Sequence, residues 1–187
     1  MSHHVCPWWL GYFLASPIRR WMMKPQDVIG PYVRPGLTVL EPGPGMGFFT
    51  LPLAKMVGKS GRVIAVDLQP KMISSLKRRA KKADLLDHID ARLASASSLA
   101  IDDVKGRVDL TLAFAMVHEL PNGHPFFREV ASASKPGALL LIAEPAGHVT
   151  PDKFEAEIRE AQTAGFTIVD RPAIKRSQAV LLRKLTN

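Results

Sequence analysis

Residues 37–47 read Leu-Thr-Val-Leu-Glu-Pro-Gly-Pro-Gly-Met-Gly. Apolar and β-branched residues run up to the acid Glu41, as in a short buried strand. Gly43, Gly45 and Gly47 then recur at every second position, and glycine lets a backbone turn sharply and come close to a ligand. Helical spacing follows over Phe48–Val57 and stops near Gly58. A strand, a glycine turn and a helix in that order begin a β-α-β unit, and this decides the fold.

The alternation continues outward. Arg62–Asp67 reads as a second strand, Gln69–Ala83 as a basic helix, Ile89–Ala94 as a third strand and Val108–Phe114 as a fourth. Pro125–Ser134 reads as a helix stopped by Lys135-Pro136-Gly137, and Ala138–Ala143 as a fifth strand. Pro151–Ala164 is expected to be helical, with Thr150 as N-cap and Gly165 just past its end. Phe166–Asp170 and Gln178–Leu185 are two last strands with no helix between them, so they should pair antiparallel. Strands alternating with helices imply parallel pairing through right-handed crossovers, and near-continuous apolar strands imply a sheet covered on both faces. The expectation is one α/β sheet of seven strands.

Composition supports a packed domain. The chain has 187 residues, of which 47% are hydrophobic and 22% charged, which excludes the disordered and low-complexity classes. A single cysteine, Cys6, excludes a disulfide framework and a cysteine-rich zinc site. The net charge of +8 permits anionic partners without demonstrating them.

The glycine loop departs from the dinucleotide fingerprint G-x-G-x-x-G: the third glycine comes one position early, and Phe48 stands where the fingerprint has glycine. Glu41 begins the turn, and a carboxylate there suits an ammonium group rather than a pyrophosphate. Asp67 lies twenty residues beyond Gly47 at a strand end, where a carboxylate can accept bonds from both hydroxyls of a ribose. A ligand with a ribose and a cation is implied, and S-adenosylmethionine fits.

With these residues in place, the chain resembles the class I S-adenosylmethionine-dependent methyltransferases of the small type 11 kind. The resemblance covers about residues 28–185 and rests on VLEPGPGMG (39–47), VIAVD (63–67), VDLTLAFAMVHEL (108–120) and LLLIAEP (139–145). It implies a Rossmann-like sheet of order 3-2-1-4-5-7-6, with strand 7 antiparallel and helices on both faces. It further implies that Glu41, Gly43, Gly45 and Gly47 cradle the amino-acid part of the cofactor, that Asp67 holds the ribose and that Leu68 packs on the adenine. Ser95 stands where the family usually carries an adenine-binding acid, a departure that leaves the Ala96 backbone for the ring. Phe114, at the end of strand four, would lie beside the cofactor. The product would be S-adenosylhomocysteine.

For the chemistry, His118 and Glu119 follow strand four on the sheet edge where ligands bind in such folds. Either could accept a proton or orient a substrate; a local pairing of Glu119 and a wall position for His118 is the plainer alternative. The string His118-Glu-Leu-Pro-Asn-Gly-His124 is not the zinc motif H-E-x-x-H, and no metal is expected. Residues 1–27 are read as a helical lid segment on a domain of 28–187, with Trp8, Trp9 and Tyr12 facing the acceptor; the same aromatics could instead pack on the core or form a homodimer contact. His3, His4 and Cys6 could ligate a soft ion, although a lone cysteine usually behaves as a small hydrophobe. Arg19 and Arg20 follow the apolar stretch Trp8–Ala15, whereas a secretory signal carries its charges first, so a cytoplasmic protein is expected, with no membrane partner. The basic residues Lys71, Lys77, Arg78, Arg79, Lys81 and Lys82 form a solvated helix face or a phosphate-binding one. The expected function is methyl transfer to a small-molecule acceptor. The alternatives are an RNA methyltransferase using that basic helix and a non-catalytic module that binds the cofactor.

Overall fold

The computed structural model describes residues 23–186. The expected lid residues Trp8, Trp9 and Tyr12, together with His3, His4 and Cys6, lie outside the described residues.

The first described helix, α1 (Pro25–Ile29), crosses the position where the lid segment was expected to meet the domain, and it buries Val28 and Ile29 in the core. The alternation then runs β1 (Thr38–Pro42), α2 (Thr50–Val57), β2 (Arg62–Asp67), α3 (Pro70–Lys82), β3 (Ile89–Leu93), β4 (Val108–Phe114), α4 (Gly123–Ala133), β5 (Ser134–Pro145), α5 (Pro151–Thr163), β6 (Phe166–Asp170) and β7 (Ser177–Lys184). One seven-stranded sheet has the order β3-β2-β1-β4-β5-β7-β6. Pairing is parallel from β3 through β5, while β7 runs antiparallel to both β5 and β6. This is the topology expected from the sequence.

Alternate residues along each strand enter opposite layers. Leu40, Ile64, Leu140 and Ile142 pack with Phe126, Phe127, Phe154 and Ile158 on one face. Val39, Val63, Ala65 and Leu141 pack with Phe49, Leu53 and Leu76 on the other. Each fully buried Leu or Ile contributes about 1.5–3 kcal/mol, so a two-sided apolar sheet needs no polar face to be stable.

Several boundaries depart from the sequence reading, and three of the departures have a clear local reason. The α2 helix starts at Thr50 rather than Phe48, because the glycine turn runs on through Phe48 and Phe49, both buried. The α4 helix starts at Gly123 rather than Pro125, because the Asn122 side chain caps it by accepting from the His124 N–H at 3.0 Å. Lys135-Pro136-Gly137 does not separate helix from strand: β5 begins at Ser134, and the extra residues are absorbed in a register shift opposite Val108 and Leu110. Proline lacks a donor and Gly137 has φ 76°, both suited to a bulge.

The strand order reverses between β1 and β4, which flank the position where open α/β sheets bind ligands. The glycine turn after β1 and the turn after β4 meet there. Gly43 has φ 67°, and a Cβ on it would come within 3.0 Å of Met116 Cβ. Gly47 has φ 88°, and its Cβ would come within 2.6 Å of Leu76 Cδ1. Glycine is therefore required at both, by backbone conformation and by the closeness of the neighbours. Arg79 on α3 donates to the Met46 carbonyl and ties the turn to the helix that follows β2.

The α5 helix begins as expected: Thr150 Oγ1 accepts from the Lys153 N–H at 3.3 Å. Thr150→Ala should lower unfolding stability by about 1 kcal/mol in urea denaturation, the usual cost of a lost N-cap. An unchanged midpoint would mean that the cap contributes nothing here.

Candidate functional site

Three acids sit near the C-terminal ends of parallel strands: Glu41 on β1, Asp67 on β2 and Glu144 on β5. All three are buried, at 3%, 9% and 0% exposure respectively. A buried carboxylate is costly unless it finds donors, so the partners of each are informative.

Glu41 finds none for one of its oxygens. Its Oε2 is buried without a hydrogen-bond partner. Burial pushes the Glu41 carboxyl up to about 8; the Thr50 hydroxyl partly counters this, and the Asp67 charge adds to it. Asp67 is better served. Its Oδ1 accepts from the Gln69 N–H at 2.8 Å and its Oδ2 from the Gly45 N–H at 3.3 Å. Burial raises its pKa, and these two N–H donors hold the rise back. The turn carrying Gly43, Gly45 and Gly47 is thus pinned to Asp67, and Glu41 lies at its base. Leu68, next to Asp67, is 42% exposed, an apolar surface left beside the two acids. Together they offer an unmet acceptor for a cation, acceptors for hydroxyls and an apolar platform.

The other expected contacts are mixed. Ser95 is exposed, and its Oγ accepts from the Ser97 and Ser98 N–H groups, closing its own turn. Its hydroxyl is therefore taken up locally, while Ala96 stays exposed on that turn. Phe114 ends β4 half-buried and packs on Phe49 with ring centroids 4.7 Å apart. It joins the core at the foot of the site.

The turn after β4 carries a second group of polar residues. Ala115 is in the left-handed region at φ 54°, unusual for a residue with a Cβ, and from there the chain bends into the turn Val117–Glu119. His118 Nδ1 pairs with Glu144 Oε2. Glu144 Oε1 accepts from the Val117 N–H at 2.8 Å and the Met116 N–H at 3.3 Å. The bond to Glu144 raises the His118 pKa, against the opposing effect of burial. His148 stands edge-on to His118 at 5.0 Å between centroids, and Lys153 Nζ donates to the His118 carbonyl at 3.1 Å. Glu157 on α5 is buried with both carboxyl oxygens unpartnered; burial, then the Glu144 charge, pushes it up to about 7.

Sequence reading placed His118 at this edge but missed Glu144, Glu157, His148 and Lys153. Glu144 carried the same signal as Glu41 and Asp67, an acid at the end of an apolar strand. Glu157 interrupts the buried stripe Phe154, Ile158 and Ala161, and an acid in an apolar helical stripe is a legible anomaly. Two clefts, of about 450 Å³ against α1 and the β6–β7 connection and about 310 Å³ between Asp102–Val104 and α4, lie elsewhere and are lined by none of the expected site residues. Among the described residues, no cluster of three or more His, Cys, Asp or Glu could hold a metal, and no helix is long and apolar enough to cross a membrane.

Comparison with known proteins places the chain in a family. The family described as "Methyltransferase domain" matches residues 40–142, more than half of the chain. A ubiquinone/menaquinone biosynthesis C-methyltransferase of Hydrogenovibrio crunogenus is 29% identical over 127 residues, which is 67% of this chain and 48% of that protein. An arsenite methyltransferase of Halobacterium salinarum is 31% identical over 110 residues, covering 59% of this chain and 27% of that protein. The chain thus spans about half or less of the length of these relatives. The crystal structure of a SAM-dependent methyltransferase from Aquifex aeolicus shares the fold at a TM-score of 0.86 and 23% identity, with 97% of this chain and 100% of that one covered.

The unmet Glu41 carboxyl has a consequence for stability. Its folded-state pKa of about 8 lies well above the ordinary carboxylate range, so the folded protein holds a proton that the unfolded chain releases. Stability from this group is complete below about pH 4 and is lost as pH rises toward 8 and beyond. Glu41→Gln should therefore gain on the wild type by a few kcal/mol between pH 4 and pH 9, as urea unfolding of the ligand-free protein would measure. A difference that does not vary with pH would mean that the carboxyl is not held out of water.

Proposed function

This chain belongs to the class I S-adenosylmethionine-dependent methyltransferases, and from that premise we propose that it methylates a small-molecule acceptor. The observation that carries the cofactor part of this reading is the Glu41 Oε2, buried with no partner beneath a glycine turn. The residues present fit the cofactor: that oxygen needs a donor, and the ammonium of a bound amino-acid group supplies one. When bound, the cofactor brings an activated sulfonium methyl, so the protein's share of the work is binding, orientation and exclusion of water.

Each residue has a part in that work. The Glu41 carboxylate accepts from the amino group, and the backbone of Gly43–Gly47 passes close beside it. Asp67 accepts from the ribose hydroxyls, at the expense of its bond to the Gly45 N–H. Leu68 lies against the adenine. The exposed turn at Ser95 and Ala96 supplies backbone groups to the ring edge, in place of a side-chain acid. Phe114 and Met116 form the floor between the cofactor turn and the turn after β4. His118 takes the proton of the acceptor, or orients it, with Glu119 beside it on the same turn.

The small-molecule class is supported by the names of the two relatives, one acting in quinone biosynthesis and one on arsenite. The basic face of α3, with Lys71, Lys77, Arg78, Lys81 and Lys82 all exposed, is an ordinary solvated face, and Lys81 and Lys82 in its last turn complement the helix C-terminus.

Calorimetry with S-adenosylmethionine and S-adenosylhomocysteine, with NAD as control, tests the cofactor reading. Asp67→Ala should weaken binding by roughly 1.5–3 kcal/mol, the value of hydrogen bonds to a charged group. Unchanged affinity would remove Asp67 from the site. His118→Ala should lower turnover on a panel of quinols, phenols, amines, arsenite and total RNA while leaving cofactor affinity nearly intact. Turnover on RNA alone, falling steeply with salt, would overturn the small-molecule reading.

A further inference from the structure

The Glu144 carboxylate is fully buried, yet nearly all of its accepting capacity is committed to one turn. One oxygen receives the Met116 and Val117 N–H groups, and the other meets His118 Nδ1. The two backbone donors fix the carboxylate, and the carboxylate fixes the ring. Two further supports hold the same residue: Lys153 Nζ on the His118 carbonyl and the edge of His148 against the ring. Among the described residues, no hydrogen bond is made to His118 Nε2. The turn is also coupled to the cofactor turn, because Met116 lies against Gly43.

We infer that Glu144 is the positioning residue of a histidine–carboxylate pair, which keeps the proton of His118 on Nδ1 and leaves Nε2 as the base toward an acceptor that must lose a proton. This rests on the proposal that His118 serves the chemistry. An ionised carboxylate can only accept, so the nitrogen facing it must carry hydrogen, and the other nitrogen then holds the lone pair. The acceptor class is a neutral X–H group, with X oxygen, nitrogen or carbon. The X–H bond breaks, its proton goes to Nε2, and the electron pair on X forms the bond to the methyl. The electron pair of the broken S–CH3 bond remains on sulfur, and the proton leaves Nε2 for water. A nucleophile that already has a free lone pair and no proton to lose, such as a thioether or trivalent arsenic, gains nothing from this pair.

A paired histidine of this kind works as a base only after it has lost its second proton. The groups facing it are Glu144 on β5, His148 in the connection after β5, Lys153 and Glu157 on α5, and Glu119 on its own turn. Glu144 is the nearest and raises the His118 pKa most. The rising limb of activity should thus lie above the ordinary imidazole range.

Glu144→Gln distinguishes positioning from mere support. The amide oxygen can still accept from Val117 and Met116, while its NH2 now faces His118. The ring must then offer Nδ1 as acceptor and carry its proton on Nε2, the wrong tautomer for a base. The measurement is a two-dimensional ¹H–¹⁵N titration of histidine-labelled protein, alone and with S-adenosylhomocysteine, so that no acceptor need be known. The wild type should show Nδ1 protonated and Nε2 free above its pKa. The variant should show the reverse, with the titration moved down by about one pH unit or more. On whichever member of the acceptor panel turns over, kcat should fall roughly 10²–10⁴-fold, with cofactor affinity unchanged.

A wild-type resting tautomer with hydrogen on Nε2 overturns the inference, and so does a Gln variant with tautomer and titration unchanged. If the variant fails to fold, the wild-type tautomer decides the matter by itself. If the tautomer switches and turnover does not respond, the pair exists and His118 is not the base; that result removes the catalytic reading of His118 and leaves the positioning intact.

Discussion

The site depends on carboxylates held out of water at one rim of the sheet. Glu41, Asp67 and Glu144 each follow a run of apolar residues on a strand buried on both faces, and each is itself buried. Removing such a group from water costs several kcal/mol unless donors replace the lost hydration. The fold meets this cost unevenly. Asp67 and Glu144 receive backbone N–H groups, two apiece. Glu41 Oε2 receives nothing from the protein. That inequality separates the roles. Glu144, met on both oxygens by its own chain, serves to hold geometry; Glu41, left short, is open to a ligand; and Asp67 pins its turn with two donors while each oxygen can accept one more. The two-sided apolar sheet supplies the stability that makes an unmet acid tolerable.

The rim is built from two turns rather than one cavity. The turn after β1 is compressed until Gly43 touches Met116, and the turn after β4 is bent by the left-handed Ala115. Neither conformation is cheap for an L-residue with a side chain, and strain of this sort persists only where the surroundings enforce it. Here the enforcement comes from the strands: the Ala115 N–H donates to the Ala143 carbonyl at 2.7 Å, and Gly43 N–H to the Val66 carbonyl at 2.9 Å. Each turn is therefore locked to the neighbouring strand at the moment it leaves the sheet, which is how side chains on separate loops keep a fixed relation.

Much of this was legible in the sequence. Glu41, the alternating glycines and Asp67 announced themselves because each breaks an apolar pattern at a strand end; the alternation of periods gave seven strands with parallel pairing, and the resemblance to the family implied their order. The missed features are of two kinds: a local cap hidden by a neighbouring signal, and pairings in which a residue acts across the sheet. Asn122 caps α4 through a bond only two residues long, which the composition signalled and the Pro125 signal obscured. The bulge at Pro136 and Gly137 looks in sequence like a loop, since only the pairing partner on β4 reveals that the strand has already begun. Glu144 and His118 are 26 positions apart, and their pairing depends on β4 and β5 being neighbours. Ser95, a departure from the family pattern, has a plain local use in closing its own turn, which no motif comparison would supply.

The two halves of the rim respond to protons in the same direction. Below about pH 8 the free protein holds a proton on Glu41, and a bound cation favours the ionised form, so capture of a cationic ligand expels that proton more readily as pH rises. His118, its pKa raised by Glu144, likewise gains its free lone pair only on the alkaline side of the ordinary imidazole range. Glu157, pushed to about 7 beside them, changes charge within the same interval. Its ionisation places a second negative charge near the Glu144–His118 pair and so holds the imidazolium longer. With the roles proposed for Glu41 and His118, cofactor capture and base formation both strengthen through neutral pH. Glu157 acts on the second of them from α5, the helix whose Lys153 donates to the His118 carbonyl and whose Phe154 and Ile158 share a core cluster with Val117.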